Sequence, residues 1–315
     1  MKAKKIVLHS LLFIVTFFTT TVAGVQWLNL DPFDLSNFSL GLPYSISILF
    51  ILSCHEFGHY FAARYHKVDA TLPFYMPFPA MSGFLNFGTL GAVIRTRSPI
   101  PSKKAMFDIG VAGPIAGFIA TLIVLVYGFL NLPGKEFILR IHPDYFSPVK
   151  TTASGIDLAF GHTALYDTLA FLLTDPLHHF VPPMSEMYHY PFLCTGWFGL
   201  FVTAMNLLPV GQLDGGHISY TMFGDKHKII SRITFGLMII VGLLGFLPLI
   251  GVTPPFGWTG WIFWGIILFF FVKLDHPPVQ NEEPLDNART IIGWIAFLLF
   301  LLSFSPSPFS ISMSA

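Results

Sequence analysis

Five consecutive residues, His55-Glu56-Phe57-Gly58-His59, hold the densest set of chemically capable side chains in the chain. On a helix, residues four apart stand one above the other, so two imidazoles at i and i+4 can reach one cation. A glutamate at i+1 then lies beside the coordination position left for water, where a carboxylate can take a proton. The pattern is that of a metal-assisted hydrolase, with His55 and His59 as zinc ligands and Glu56 as general base. A catalytic zinc needs a third protein ligand. Leu213-Asp214-Gly215-Gly216-His217 offers Asp214 and, by spacing alone, His217 as well. Cys54 points about 100° away from His55 around the helix and is expected to pack rather than coordinate.

These residues must be carried by membrane-spanning elements. The chain is 53% hydrophobic and only 11% charged, well below the quarter of charged residues usual in soluble domains. Apolar runs able to cross about 30 Å of hydrocarbon fall near residues 6–24, 42–65, 105–130, 190–208, 229–250, 258–273 and 290–304. The expected fold is an all-α polytopic membrane protein of six to seven transmembrane helices with a small re-entrant β segment near the active site. The first run is expected to stay as an anchor, since it is about as long as a crossing. Residues 1–315 are read as one membrane-embedded domain, with a core at about 42–220, C-terminal helices at about 229–304 and no soluble regulatory domain.

Lys and Arg set the orientation. With a cytoplasmic amino terminus, only Lys135, Arg140 and Lys150 of the 17 basic residues fall outside. A multi-pass protein of the cell membrane is therefore expected. Zero formal net charge gives no support for nucleic-acid binding, and the two cysteines, both within apolar runs, imply no disulfide framework.

Depth is the test of whether the candidate ligands can meet. The second and fourth runs both descend toward the cytoplasmic side, and His55 and Asp214 precede their cytoplasmic charges by similar lengths. At 1.5 Å per residue both lie about 14–16 Å below that surface. Glu56 inside an apolar span is a functional candidate on energetic grounds, because an ionisable group at the centre of a span costs about 2.5–3.5 kcal/mol on insertion scales.

Two loops complete the reading. Leu85-Asn86-Phe87-Gly88-Thr89-Leu90-Gly91-Ala92-Val93-Ile94-Arg95 is short, β-branched and punctuated by glycine, so it reads as strand. Between about 131 and 189, the stretch Ile156–Leu173 is expected as an interfacial helix. His142, His162, His178, His179 and His189 in that loop lack ligand spacing apart from the adjacent pair, and read as solvated histidines. Gly110, Gly113, Pro114 and Gly117 are expected to serve close helix packing.

His55-Glu56-Phe57-Gly58-His59, Asn206-Leu207-Leu208-Pro209 and Leu213-Asp214-Gly215-Gly216 together resemble the site-2 protease family of intramembrane metalloproteases. The resemblance covers roughly 45–220. It implies one zinc per chain held by His55, His59 and Asp214, with Glu56 as general base. It also implies that a transmembrane protein substrate is unwound and held along the segment containing Gly88, Thr89 and Gly91, with Asn206 facing its backbone or oxyanion. The competing function is a metal-ion or proton transporter using the same buried His, Glu and Asp. The outer halves of the spans are nearly all apolar, which argues against a polar path through the whole membrane. Substrate identity and oligomeric state are not legible.

Overall fold

A computed structural model describes residues 3–79, 86–147, 156–175, 180–279 and 281–313. Its elements, in chain order, are α1 (Ala3–Trp27), α2 (Leu42–Tyr65), β1 (Phe74–Pro77), β2 (Thr89–Val93), α3 (Lys103–Leu130), α4 (Lys135–Ile141), β3 (Ile156–Phe160), α5 (Ala164–Leu173), α6 (Pro191–Leu207), α7 (Asp214–Phe223), α8 (His227–Leu244), α9 (Gly260–Ile267), α10 (Asn287–Ser303) and β4 (Phe309–Met313). The described residues are mostly helical, with two small sheets among them. Helices at Lys5–Trp27, Leu35–Tyr65, Lys103–Leu130 and Asp214–Ile250 are long and apolar enough to cross a membrane. Shorter apolar helices lie at Ala164–Leu173, Pro191–Leu207, Gly260–Val272 and Asn287–Ser303.

Local chemistry sets several helix ends. Ser102 caps α3 by accepting from the Ala105 N–H, Pro191 opens α6, and the Asp286 side chain accepts from the Arg289 N–H at the start of α10. Each satisfies or tolerates a first-turn amide that has no helical partner. Arg289 then reaches across to Asp108 on α3, donating from Nε to Oδ1 at 2.8 Å and from a terminal nitrogen to Oδ2 at 2.7 Å. His66, at the end of α2, meets the same carboxylate at 2.8 Å. One side chain of α3 thus ties α2 and α10 together, a geometry suited to the guanidinium fork.

The first sheet pairs β1 with β2 antiparallel, Phe74 opposite Val93 and Tyr75 opposite Ala92. It is pinned to two helices. Thr19 of α1 donates to the Gly88 carbonyl at 2.6 Å, His9 of α1 donates from Nδ1 to the Pro73 carbonyl at 3.0 Å, and Ser53 of α2 meets the Tyr75 hydroxyl at 2.7 Å. Leu85, expected to begin the strand, lies outside the described residues.

The loop after α3 departs from expectation. Ile156–Phe160 is not the start of an interfacial helix but strand β3, paired in antiparallel register with β4 from Phe160↔Phe309 to Ile156↔Met313. Only the second part, α5, is helical, beginning where Thr163 accepts from the Tyr166 N–H. The partner strand lies some 150 residues later, beyond the reach of any local pattern. Phe160 and Phe309 join Trp197, Phe198 and Phe87 in an aromatic cluster, with centroids 4.4 Å apart for Phe87–Phe198 and 4.8 Å for Phe160–Trp197. Edge-on aromatic pairs of this kind add about 0.5–1.5 kcal/mol each beyond their burial.

Candidate metal centre

α2 carries His55 and His59 one turn apart, both buried. Asp214 arrives from the first turn of α7 after the break at residues 208–213. A Cβ added at Gly215 would stand 2.0 Å from the Leu207 carbonyl oxygen, so only glycine lets the chain fold back this tightly after α6. The helix restart places Asp214 against α2. His55 Nε2 lies 3.4 Å and His59 Nε2 3.2 Å from Asp214 Oδ2, and the two imidazole nitrogens are 3.1 Å apart.

Those separations test the fit to zinc. Ligands bound at about 2.0–2.1 Å in a tetrahedron stand about 3.3 Å from one another. Three donor atoms at 3.1–3.4 Å form one face of such a tetrahedron, and two neutral imidazoles with one carboxylate suit a borderline-soft divalent ion. His59 Nδ1 donates to the Ile109 carbonyl of α3 at 2.7 Å, which fixes the tautomer and aims the Nε2 lone pair at the cluster. The donor set fits zinc.

α3 makes room for the ligands. A Cβ at Gly113 would lie 2.1 Å from His59 Nε2, and one at Gly117 would lie 3.0 Å from His55 Cβ. The expected role of these glycines in close helix packing is thus met in a particular form: the glycine face of α3 is the wall behind both imidazoles. Sequence reasoning gives Gly113 no chemistry at the site and does not point to the Ile109 carbonyl. The four-residue spacing of small residues was the available signal, but nothing local said which helix it faced.

Glu56 is buried at 7% exposure on the helix that bears both histidines. Its carboxylate interacts with the backbone amide of Ile94, the residue following β2. Asn206, near the end of α6, places its amide nitrogen 3.3 Å from His55 Nε2. His217 is not part of the three-donor cluster. Its Nδ1 donates to His276 Nε2 at 2.6 Å, and His276 Nδ1 in turn donates to the Pro277 carbonyl at 2.6 Å. Burial holds the His276 imidazole below the usual histidine range.

The strand residues divide. Gly88 is backed against the Thr19–Thr20 backbone of α1, and its carbonyl also accepts from the Phe78 N–H. The buried Thr89 hydroxyl donates to the Met76 carbonyl at 2.9 Å and accepts from the Gly91 N–H at 3.0 Å. Gly91 has open space where a side chain would stand. Gly91 is therefore the open position, while Gly88 and Thr89 hold the strand in place.

The chain is thus mostly helical, with several apolar helices of membrane-crossing length and a buried His-His-Asp cluster, suited to a metal ion, beside a glutamate. The family model of peptidase family M50 matches residues 43–247, and the chain belongs to that family. Residues 43–247 include every residue of the cluster. Among curated proteins, the chain is 28% identical over 303 residues to a probable zinc metalloprotease EGY2, chloroplastic, of Oryza sativa subsp. indica, an alignment covering 94% of this chain and 49% of that protein. It is 31% identical over 209 residues to a probable zinc metalloprotease EGY1, chloroplastic, of Oryza sativa subsp. japonica, covering 65% of this chain and 32% of the relative. A third relative, the probable zinc metallopeptidase EGY3, chloroplastic, of Arabidopsis thaliana, is 27% identical over 270 residues, covering 84% of this chain and 43% of the relative. The chain spans about half the length of the curated relatives it matches. Nothing in these relationships supports the transporter reading.

Proposed function

We propose that this protein is an intramembrane zinc metalloprotease that hydrolyses a peptide bond in or near a transmembrane segment of a substrate membrane protein. The observation that carries the reading is the placement of three donor atoms, from His55, His59 and Asp214, at tetrahedral-edge distances on two apolar helices, with Glu56 buried beside them. The three residues would hold one catalytic zinc, which when bound would supply Lewis-acid polarisation and make water acidic enough to ionise near neutral pH.

The remaining steps belong to the side chains. Glu56 takes a proton as the water oxygen attacks the scissile carbonyl carbon, then delivers it to the amine nitrogen as the C–N bond breaks. The Asn206 amide donates to the oxygen on which negative charge develops. The open position at Gly91 admits an extended segment beside β2, because a peptide bond locked in a substrate helix must be unwound before attack and an exposed strand edge replaces its lost hydrogen bonds. Replacing Asn206 with Ala is expected to lower cleavage about 10²–10³-fold with zinc content unchanged. A rate within a few fold of wild type would remove Asn206 from the reaction.

α1, α2, α3, the broken pair α6–α7, α8, α9 with its following π-helical turn, and α10 are proposed as seven crossings of a single membrane domain with a cytoplasmic amino terminus. Fourteen of the 17 basic residues then lie on one side. The decisive experiment incubates the purified full chain with a reporter bearing one transmembrane segment. Cleavage within or beside that segment, lost on chelation and restored by Zn2+, is the expected result. Cleavage that survives complete metal removal would end the proposal, as would zinc flux into liposomes without any cleavage.

A further inference from the structure

A second cluster of potential ligands lies at the other end of α6. His142, at the C-terminal end of α4, meets His189 with the two Nε2 atoms 3.0 Å apart, although 47 residues separate them in sequence. Glu186 Oε2 lies 3.4 Å from His142 Nε2 and 3.6 Å from His189 Nε2. These histidines, expected as solvated loop residues, are in fact brought together; His178 and His179 lie outside the described residues.

The backbone explains the pairing. Glu186 precedes the 3₁₀ turn Met187–His189, and in a helix of three residues per turn i and i+3 eclipse. Glu186 and His189 therefore project from the same side, and α4 delivers His142 opposite them. His189, 3% exposed, donates from Nδ1 to the Trp27 carbonyl at the end of α1, at 2.5 Å. That bond fixes the tautomer and leaves the Nε2 lone pair facing the other two ligand atoms, the arrangement by which outer hydrogen bonds orient metal-binding imidazoles.

We propose that His142, Glu186 and His189 form a second zinc site, distinct from the catalytic centre, that clamps the ends of α1, α4 and α6 together. Three donor atoms at 3.0–3.6 Å frame the triangular face that one ion at about 2.0–2.1 Å from each would occupy. Two imidazole nitrogens and a carboxylate oxygen favour a borderline ion such as Zn2+ over Ca2+ or Mg2+, which take oxygen ligands. A plain hydrogen bond from His142 to His189 would account for the 3.0 Å contact. The Glu186 carboxylate, nearly equidistant from both nitrogens, completes the three-donor set. α6, 17 residues long and so about 25 Å, stands between this cluster and the segment bearing Asp214, so the two sites can be emptied separately. The 32% exposure of the His142 side chain provides entry.

The test is metal stoichiometry on the full chain purified in detergent, saturated with Zn2+ and freed of loosely held ion. Two zinc per chain are expected for wild type and one for both His142→Ala and Glu186→Gln. The Glu186→Gln change keeps the side-chain volume and guards against a variant that fails to fold. In a His59→Ala/Asp214→Ala background, the remaining zinc should raise the unfolding temperature, and adding His142→Ala should abolish that rise. One zinc per chain in the wild type, or two in wild type with no loss in either variant, overturns the proposal in favour of a hydrogen-bonded cluster only. Neither result bears on the catalytic centre, whose zinc is read independently from the His59→Ala/Asp214→Ala loss.

Discussion

Exchanging Glu56 for Gln is expected to reduce cleavage of a transmembrane reporter by about 10²–10⁴-fold, the range that a positioned general base contributes. Zinc content should remain that of the unaltered protein. Gln keeps the volume of the side chain but can neither take a proton from water nor return one to the departing amine. His55, His59 and Asp214 are the proposed ligands, so the metal should stay. The measurement pairs single-turnover cleavage with elemental analysis on the same preparation. A variant that cleaves within a few fold of wild type would move the base elsewhere in the cavity. A variant that loses both zinc and cleavage would show Glu56 acting on the metal site instead.

Gly113→Ala is expected to be nearly as severe, although the residue bears no side chain and touches no substrate. The added Cβ would stand 2.1 Å from His59 Nε2, 2.3 Å from Cδ2 and 2.4 Å from Cε1. No relaxation of a flexible tip can absorb this, because the ring is held from the other side by its bond to the Ile109 carbonyl. Nor can the helices simply separate. α2 and α3 touch at backbone level, where a Cβ at Gly58 would lie 2.5 Å from the Ala112 carbonyl oxygen. His59 must therefore turn away from Asp214 or α3 must shift, with an overpacking penalty of about 1–3 kcal/mol. Loss of the catalytic zinc and a fall in cleavage of at least about 10²-fold should follow. Gly236→Ala is the control. It lies in α8 with nothing within 4 Å of the added atom, and should change stability by at most about 1 kcal/mol, in the favourable direction. Full zinc occupancy and normal cleavage in Gly113→Ala would contradict the packing on which the site rests.

Much of the candidate centre was open to sequence reasoning because its constraints are local. The i, i+4 pair on α2 follows from helical period alone. The level of Asp214 follows from counting residues to the membrane surface. Helix positions were legible for a related reason: length and apolarity set them when hydrocarbon is the solvent, and the run at 42–65 coincides with α2.

Other features resisted. β3 reads as helix from sequence because an apolar run of that length carries no period that separates the two, and its partner β4 lies some 150 residues away. His142 and His189 passed for unrelated loop residues, since no ligand spacing links positions 47 apart.

The amino-acid sequence by itself determined which helix carries the paired imidazoles, which residue can act as base beside them, and that all lie within apolar spans. Tertiary structure alone decided which face of α3 backs those imidazoles, that His217 turns to His276 instead of joining the cluster, and that α4 meets the turn before α6. The physical reason is rotation. A helix surrounded by lipid and other apolar helices is hydrophobic on all sides, so its pattern carries little record of which face meets which neighbour. That choice is made by close contact of small residues and by a few buried polar bonds, and these exist only once the helices have packed.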